Sequence, residues 1–297
     1  MGRFKRDFYK TEHNRHLGIE QLKKMPWFEF LQRDVKCGEV FPALRYDGSI
    51  HFYYKGARIC ECDGNINGIP KANRDNKPFN PVNQDSYEKI KRECQRWSET
   101  VSGVRRERAE LSGLYIKFSP YVKPSPGMIL LDIEVGFPRL FLSDQEVHTN
   151  TQVDLLFLDK DTGMLYFVEA KGAADSRIKK EYTGQSDSEL YDSLEVAEQL
   201  NKYNANLEQR EDEILVAYSD YLDIMREIFG CKIYAGKLAL YPRTKLLVYG
   251  KSTDNGIKSL GAIRAKLGDD LIVFEAGLDE VNNLPEKITA GSLRDES

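Results

Sequence analysis

Apolar and polar positions change their spacing twice along the chain. The amphipathic run Ile19–Leu31 is interrupted by Pro26, which predicts a helix on each side of the proline. Strand-like alternation then replaces the helical spacing, and the turn pairs Asp47-Gly48 and Lys55-Gly56 divide it. The alternating runs are residues 41–46, 49–54 and 57–62. We predict a small antiparallel β-meander behind an N-terminal helical segment.

Residues 63–83 are rich in Gly, Pro, Asn and Asp, which is typical of a loop and of a domain boundary. The boundary predicts an accessory module over residues 1–83 and a second domain over residues 84–297. A helical pattern opens the second domain from Gln84 to Leu114, with an interruption near Ser102-Gly103.

Beyond Pro126 the apolar runs become longer and more continuous. Strands are predicted at residues 128–135, 152–159, 164–170, 214–218 and 245–249. Helical spacing is found at residues 188–209, 221–229 and 257–267. Strands that alternate with helices predict a mixed sheet flanked by helices, so the fold class is α/β with a small N-terminal module that contains the meander.

The composition is that of a globular chain of 297 residues, and no apolar run is long enough for a membrane helix or a signal peptide. We therefore expect a soluble, cytoplasmic protein without a membrane partner. The net charge of −4 argues against a nucleic-acid partner, but the charge is divided unevenly. Residues 1–120 hold 23 Lys and Arg against 16 Asp and Glu, and the remainder holds 20 against 31. Three arginines on the helical run predict phosphate contacts: Arg105, Arg106 and Arg108. The glutamates between them leave a solvated helix face as the alternative.

The five cysteines are an odd number without a secretory signal, which predicts reduced thiols. Cys60-Glu61-Cys62, with Cys37 upstream, leaves a zinc site as an alternative. The spacing differs from the usual Cys-x2-Cys pair, so structural cysteines are the favoured interpretation.

Three ionisable residues interrupt otherwise apolar strands: Asp154, Glu169 and Lys171. Alternation places Glu169 and Lys171 on one face of their strand, and a turn at Asp161-Thr162 or Thr162-Gly163 sets Asp154 opposite Glu169 or Lys171. Two carboxylates beside a lysine suit a site for Mg2+, which prefers oxygen ligands and activates water toward a phosphate. A surface hairpin with an ordinary ion pair is the alternative, and the three residues alone leave both interpretations open.

Gln199 and Tyr203 are four residues apart, so they lie on the same side of the predicted helix over residues 188–209. A helix packed on the sheet could aim both side chains at the acidic cluster. An amide and a phenol at the border of a buried face are the alternative.

The order Asp154, Glu169-Ala170-Lys171 and Gln199-x-x-x-Tyr203 resembles the PD-(D/E)XK nuclease superfamily, in its RecB-like branch with the Gln-x-x-x-Tyr signature. The run from Glu146 to Asp154 is also similar to the nuclease domain of the NucS/EndoMS mismatch endonucleases. The resemblance covers residues 99–250, and residues 1–83 show none. Val153 stands where the name of the superfamily has proline, and a longer insertion, residues 115–142, precedes the strands.

The resemblance implies a restriction-endonuclease-like core that binds Mg2+, with Mn2+ as a substitute. Asp154, Glu169 and the carbonyl of Ala170 would hold the ion, Lys171 would act on the attacking water, and Gln199 and Tyr203 would support the site. The family also has an acidic residue on the preceding helix. Glu110 is preferred over Glu107 for that role, because Leu111 and Leu114 mark the packed end of the helix.

The resemblance, together with these residues, predicts a metal-dependent deoxyribonuclease, an endonuclease rather than an exonuclease, that hydrolyses phosphodiester bonds in DNA. The alternative is a nuclease-fold protein that does not cleave and serves as a nucleic-acid-binding or assembly subunit. A third interpretation is an interaction protein in which the ionisable residues coincide by chance. RNA as the substrate, and self-association, stay open.

Overall fold

The computed structural model describes residues 3–8, 12–63, 71–102, 104–123, 125–138, 141–142, 145–146, 151–252, 254–275, 277–278 and 281–290. The fold is mixed α/β, as the sequence predicts. The helices of this part are α1 (Glu12–Lys24), α2 (Phe28–Lys36), α3 (Gln84–Thr100), α4 (Val104–Lys117), α5 (Asp187–Asp192), α6 (Glu195–Gln209), α7 (Glu211–Phe229), α8 (Asp254–Leu267) and α9 (Leu284–Thr289). None of these helices has both the length and the apolar character needed to span a lipid bilayer.

The strands are short in the first half of the chain and longer after it. They are β1 (Phe41–Leu44), β2 (Ser49–Tyr54), β3 (Ala57–Asp63), β4 (Lys71–Arg74), β5 (Lys77–Pro78), β6 (Met128–Gly136), β7 (Phe141–Leu142), β8 (Gln145–Glu146), β9 (Gln152–Asp159), β10 (Met164–Gly172), β11 (Ala239–Leu240), β12 (Lys245–Tyr249) and β13 (Leu271–Phe274).

Contacts divide the chain into two compact units. The meander unit comprises the described residues of Phe4–Asp132 and Asp212–Leu238, and the mixed-sheet unit comprises those of Met1–Arg3, Ile133–Glu211 and Ala239–Ser297. The domain boundary after residue 83 stays a prediction, and the division between the compact units lies elsewhere. Helix α3 packs on β2 and β3, so it belongs to the same unit as the meander.

The sheet of the meander unit has the order β1-β2-β3-β4-β5, with antiparallel neighbours throughout. The three predicted strands are confirmed, but two more strands lie in the segment predicted as a loop. Asp75 and Asn76 both have positive φ, 51° and 61°, and join β4 to β5 as a two-residue turn. The residues of β4 and β5 are mostly polar and the turn has no glycine, so neither hydrophobic alternation nor a turn signal predicted this hairpin. Residues 64–70 of the predicted loop lie outside the described residues.

The predicted interruption at Pro26 is confirmed, because α1 ends before the proline and α2 begins after it. Cys60 and Cys62 are buried thiols on β3, and burial raises the pKa of Cys60 well above its ordinary value. A buried ion pair joins the start of this unit to β6: the guanidinium Nε of Arg6 lies 2.8 Å from Oδ2 of Asp132, which is fully buried.

The mixed-sheet unit is built on a sheet with the order β13-β12-β10-β9-β6, beside which β11 pairs with β10. Strands β9 and β10 form an antiparallel hairpin, whereas β10, β12 and β13 run parallel. Most side chains of β9 and β10 are buried on both faces, as expected of central strands between layers of helices. The predicted bounds of β9 and β12 match the structure.

The strand predicted at residues 214–218 is wrong, because these residues lie within α7. Their apolar side chains continue the helical spacing of Tyr221, Met225 and Phe229, so a short apolar run was mistaken for a buried strand. The helix predicted over residues 188–209 is divided at Ser193, whose hydroxyl donates a hydrogen bond to the carbonyl of Leu190 (2.7 Å).

Candidate active site

The β9–β10 hairpin sets the register on which the site depends. Leu155 pairs with Val168, which places Asp154 directly opposite Glu169. This is the register that follows from a turn centred on Asp161-Thr162. The connection is a four-residue loop, and Gly163 at its end has a φ of 77°.

Asp154, Glu169 and Lys171 meet on one face of the sheet. The backbone N–H of Ala170 donates to Oδ2 of Asp154 at 2.9 Å. The Lys171 ammonium contacts Oε1 of Glu169, lies 2.9 Å from the carbonyl oxygen of Ala170 and lies 3.5 Å from Oδ2 of Asp154. Three oxygens of different residues therefore surround one positive charge.

Helix α6 adds the two polar side chains that the sequence places on one side of it. The Gln199 amide donates from Nε2 to Oε1 of Glu169 (2.8 Å) and to the Tyr203 hydroxyl (2.5 Å). Tyr203 in turn donates to the carbonyl of Gln152 on β9 (2.6 Å). The helix is thus tied to both strands of the hairpin, and Gln199 holds the carboxylate of Glu169 in place.

Burial distinguishes the two carboxylates. The side chains of Glu169 and Lys171 are each 1% exposed, whereas that of Asp154 is 24% exposed and opens to solvent. Burial, and next the charge of Glu169, raise the pKa of the Tyr203 hydroxyl far above its ordinary value, so it stays protonated as a donor. Oε1 of Gln199 is buried and accepts no hydrogen bond from the described residues.

A further ionic pair, which the sequence patterns did not predict, lies just after β10. Asp175 accepts hydrogen bonds from Arg177, whose Nε lies 3.0 Å from Oδ1 and whose Nη2 lies 2.5 Å from Oδ2. Burial acts to raise the pKa of Asp175, but the hydrogen bonds from Arg177 outweigh it and, together with the charge of Lys171, hold that pKa below its usual value. An acidic residue four positions after Lys171 was the available sequence signal.

The donor set suits a hard divalent cation. Within the described part of the chain, no group of three or more His, Cys, Asp and Glu side chains could hold a metal ion, so a centre here would rest on two carboxylates and a carbonyl. The oxygens of Asp154, Glu169 and Ala170 already converge on the Lys171 ammonium. Mg2+ commonly takes one or two carboxylates and keeps several waters, so these residues fit the implied ion.

The other predicted site residues lie on α4 in the meander unit. Glu110 accepts a hydrogen bond from Nε of Arg106 (2.9 Å), and both side chains are exposed. Arg108 and Glu107 are half-buried, and the side chain of Arg105 lies outside the described residues. The roles assigned to these α4 residues stay predictions.

Comparison of the chain with family models, with curated proteins and with solved structures gives no match. The relation to the PD-(D/E)XK nucleases therefore stays a prediction, which rests on the motif residues. Part of the run similar to the NucS/EndoMS domain, residues 147–150, lies outside the described residues.

Proposed function

We propose that the mixed-sheet unit is the catalytic core of a metal-dependent nuclease that hydrolyses phosphodiester bonds in DNA. One observation carries the proposal: oxygens of Asp154, Glu169 and Ala170 converge on a single cationic group. This convergence lies near the end of a central strand, where buried charges are costly unless they are paired or used.

Each residue of the cluster has a distinct task in this proposal. Asp154, Glu169 and the carbonyl of Ala170 would hold Mg2+ or Mn2+, which when bound supplies an acidified water and neutralises charge on a phosphate. Asp154 is oriented by the N–H of Ala170, and Glu169 by the amide of Gln199. Fixed ligands lose little freedom on binding, so these hydrogen bonds favour the ion.

Lys171 would orient the attacking water or stabilise the charged phosphate in the transition state. Its four-carbon stem allows the ammonium to leave the three oxygens and turn toward a phosphate. Tyr203 is a positioning residue, because it contacts Gln199 and the backbone of β9 rather than the open side of Asp154.

The same contacts favour a second candidate function. Lys171 neutralises Glu169 without any bound ion, so the cluster would also serve as a structural ion pair in a protein that binds nucleic acid and does not cleave it.

Cleavage assays separate the two candidates. The full chain is incubated with supercoiled plasmid, linear duplex, single-stranded DNA and RNA, each with Mg2+, Mn2+ or EDTA. We expect metal-dependent cleavage that Asp154→Asn lowers by about 100-fold or more, since Asn lacks the ligand charge. Asp192→Asn, at an exposed acid on α5, is the matched control. Equal cleavage by Asp154→Asn and the wild type would refute the proposal, and binding without cleavage of any substrate would support the second candidate.

A further inference from the structure

The carboxyl ends of β10 and β12 lie side by side next to the cluster. Lys171 pairs with Val248 and Gly172 with Tyr249, and the N–H of Ala173 donates to the carbonyl of Tyr249 at 2.7 Å. The chain therefore leaves both parallel strands at the same edge of the sheet, one residue beyond Gly172. Ligands of open α/β sheets bind at this edge, outside the carboxyl ends of the strands.

The two segments that leave this edge carry exposed cations. Lys180 and Lys251 are exposed, and so is Lys258 on the first turns of α8. We name residues 175–182, 251–252 and 254–258 the edge patch. It holds five Lys and Arg against three Asp and Glu, although residues 121–297 as a whole are strongly acidic. The two segments thus carry a small local excess of positive charge.

Contacts within the mixed-sheet unit hold the two halves of the edge patch together. The backbone N–H of Lys180 donates to Oγ of Ser259 at 3.3 Å. The ammonium of Lys258 lies 5.6 Å from the centre of the Tyr182 ring, and that ring is 45% exposed. An exposed aromatic ring beside lysines suits the binding of a nucleic-acid strand, because the cations can contact phosphates while the ring stacks on a base.

We propose that the edge patch binds the phosphate backbone of the nucleic-acid strand that the cluster cleaves, with Lys180 and Lys258 on phosphates and Tyr182 against a base. This inference rests on the proposed function for its choice of partner. It assigns the backbone contacts nearest the cluster to the mixed-sheet unit itself, in addition to any that the arginines of α4 make.

Equilibrium binding in EDTA tests the inference without cleavage. The anisotropy of fluorescein-labelled single-stranded DNA, duplex DNA and RNA is followed on titration with the full chain at several salt concentrations. The double variant Lys180→Gln/Lys258→Gln is compared with Arg264→Gln/Lys266→Gln, whose exposed cations lie at the other end of α8. Tyr182→Ala is measured beside them.

We expect the first double variant to raise Kd by about tenfold and to lower the salt slope, log Kd against log[salt], by about 1 to 2. Tyr182→Ala should weaken single-stranded DNA more than duplex, and the control double variant should stay within about twofold of the wild type. Equal effects of the two double variants would overturn the inference. A third double variant, Arg106→Gln/Arg108→Gln on α4, is measured as well, and a loss of affinity confined to it would also overturn the inference. Binding that depends on the edge patch, with no cleavage in Mg2+, would leave the inference intact and refute only the nuclease.

Discussion

Replacement of Lys171 by methionine removes the ammonium that contacts both carboxylates of the cluster. Glu169 is 1% exposed, so its charge would stay buried without the ammonium that neutralises it, although the amide of Gln199 still donates to it. Removal of one partner of a buried ion pair costs about 3–5 kcal/mol. Asp154 is partly exposed, so solvent screens its share of the charge, and we expect a loss of about 3 kcal/mol in the free energy of unfolding.

Urea unfolding followed by far-UV circular dichroism measures this loss. Both tryptophans, Trp27 and Trp97, lie in the meander unit, so fluorescence would report on the other part of the chain. The matched control is Lys266→Met, an exposed lysine on α8 for which we expect a change within about 0.5 kcal/mol.

Two further measurements identify the cause of the loss. Addition of Glu169→Gln to Lys171→Met removes both buried charges, so the double variant should be more stable than Lys171→Met alone. Saturating Mn2+ should also stabilise Lys171→Met, by about 2.7 kcal/mol at 100 times Kd, because the ion replaces the lost positive charge. A loss below about 1 kcal/mol, or no recovery in the double variant, would refute the assignment of Lys171 as the counter-ion of Glu169.

Three other substitutions test the cluster and the meander unit. Tyr203→Phe deletes a buried hydroxyl that donates to the carbonyl of Gln152. It should lower the free energy of unfolding by about 1–2 kcal/mol, measured by urea unfolding, and it should also lower the cleavage rate in Mg2+, measured by a plasmid assay. Asp154→Asn should lower cleavage by about 100-fold or more and keep the circular dichroism spectrum, because the new side chain can still accept from Ala170; an unfolded spectrum would contradict this. Burial, and next Arg45, lower the pKa of His51 to about 3. The unfolded chain therefore takes up a proton below about pH 6.5 before the folded chain does. Stability should fall as the pH drops from about 6.5 toward 3, by up to about 1.4 kcal/mol per pH unit, and tryptophan fluorescence should show a weaker pH dependence in His51→Gln.

The hairpin and its register are the part of the site that the sequence specifies most directly. Alternation places Asp154, Glu169 and Lys171 on one face and leaves Glu169 or Lys171 as the partner of Asp154, and the structure has Glu169. The four-residue spacing of Gln199 and Tyr203 places them on one side of α6. Short-range rules are enough to predict which residues share a face of the hairpin or a side of the helix, because each placement depends on a spacing of a few residues along the chain. The hydrogen bond from Tyr203 to the backbone of β9 depends on how the helix packs, which no local repeat contains.

Particular residues show why other features could not be predicted from the sequence. Residues 214–218 are apolar enough for a buried strand, and only the continuation to Phe229 reveals the helical period. The division into two units depends on pairs such as Arg6 and Asp132, which lie 126 residues apart in the chain. The ion pair of Asp175 and Arg177 forms in the segment after β10 has ended, where no strand or helix periodicity predicts a contact, although the charge of Lys171 acts on Asp175.

The central claim is that Asp154, Glu169 and the carbonyl of Ala170 hold one divalent cation. Electron paramagnetic resonance of Mn2+ titrated into the full chain tests it directly, because the signal of the free ion falls as the ion binds. The claim predicts one bound ion per chain in the wild type and in Asp192→Asn, and its loss in Asp154→Asn and Glu169→Gln. Equal Mn2+ binding by the wild type and Asp154→Asn, or no binding by the wild type, would contradict it.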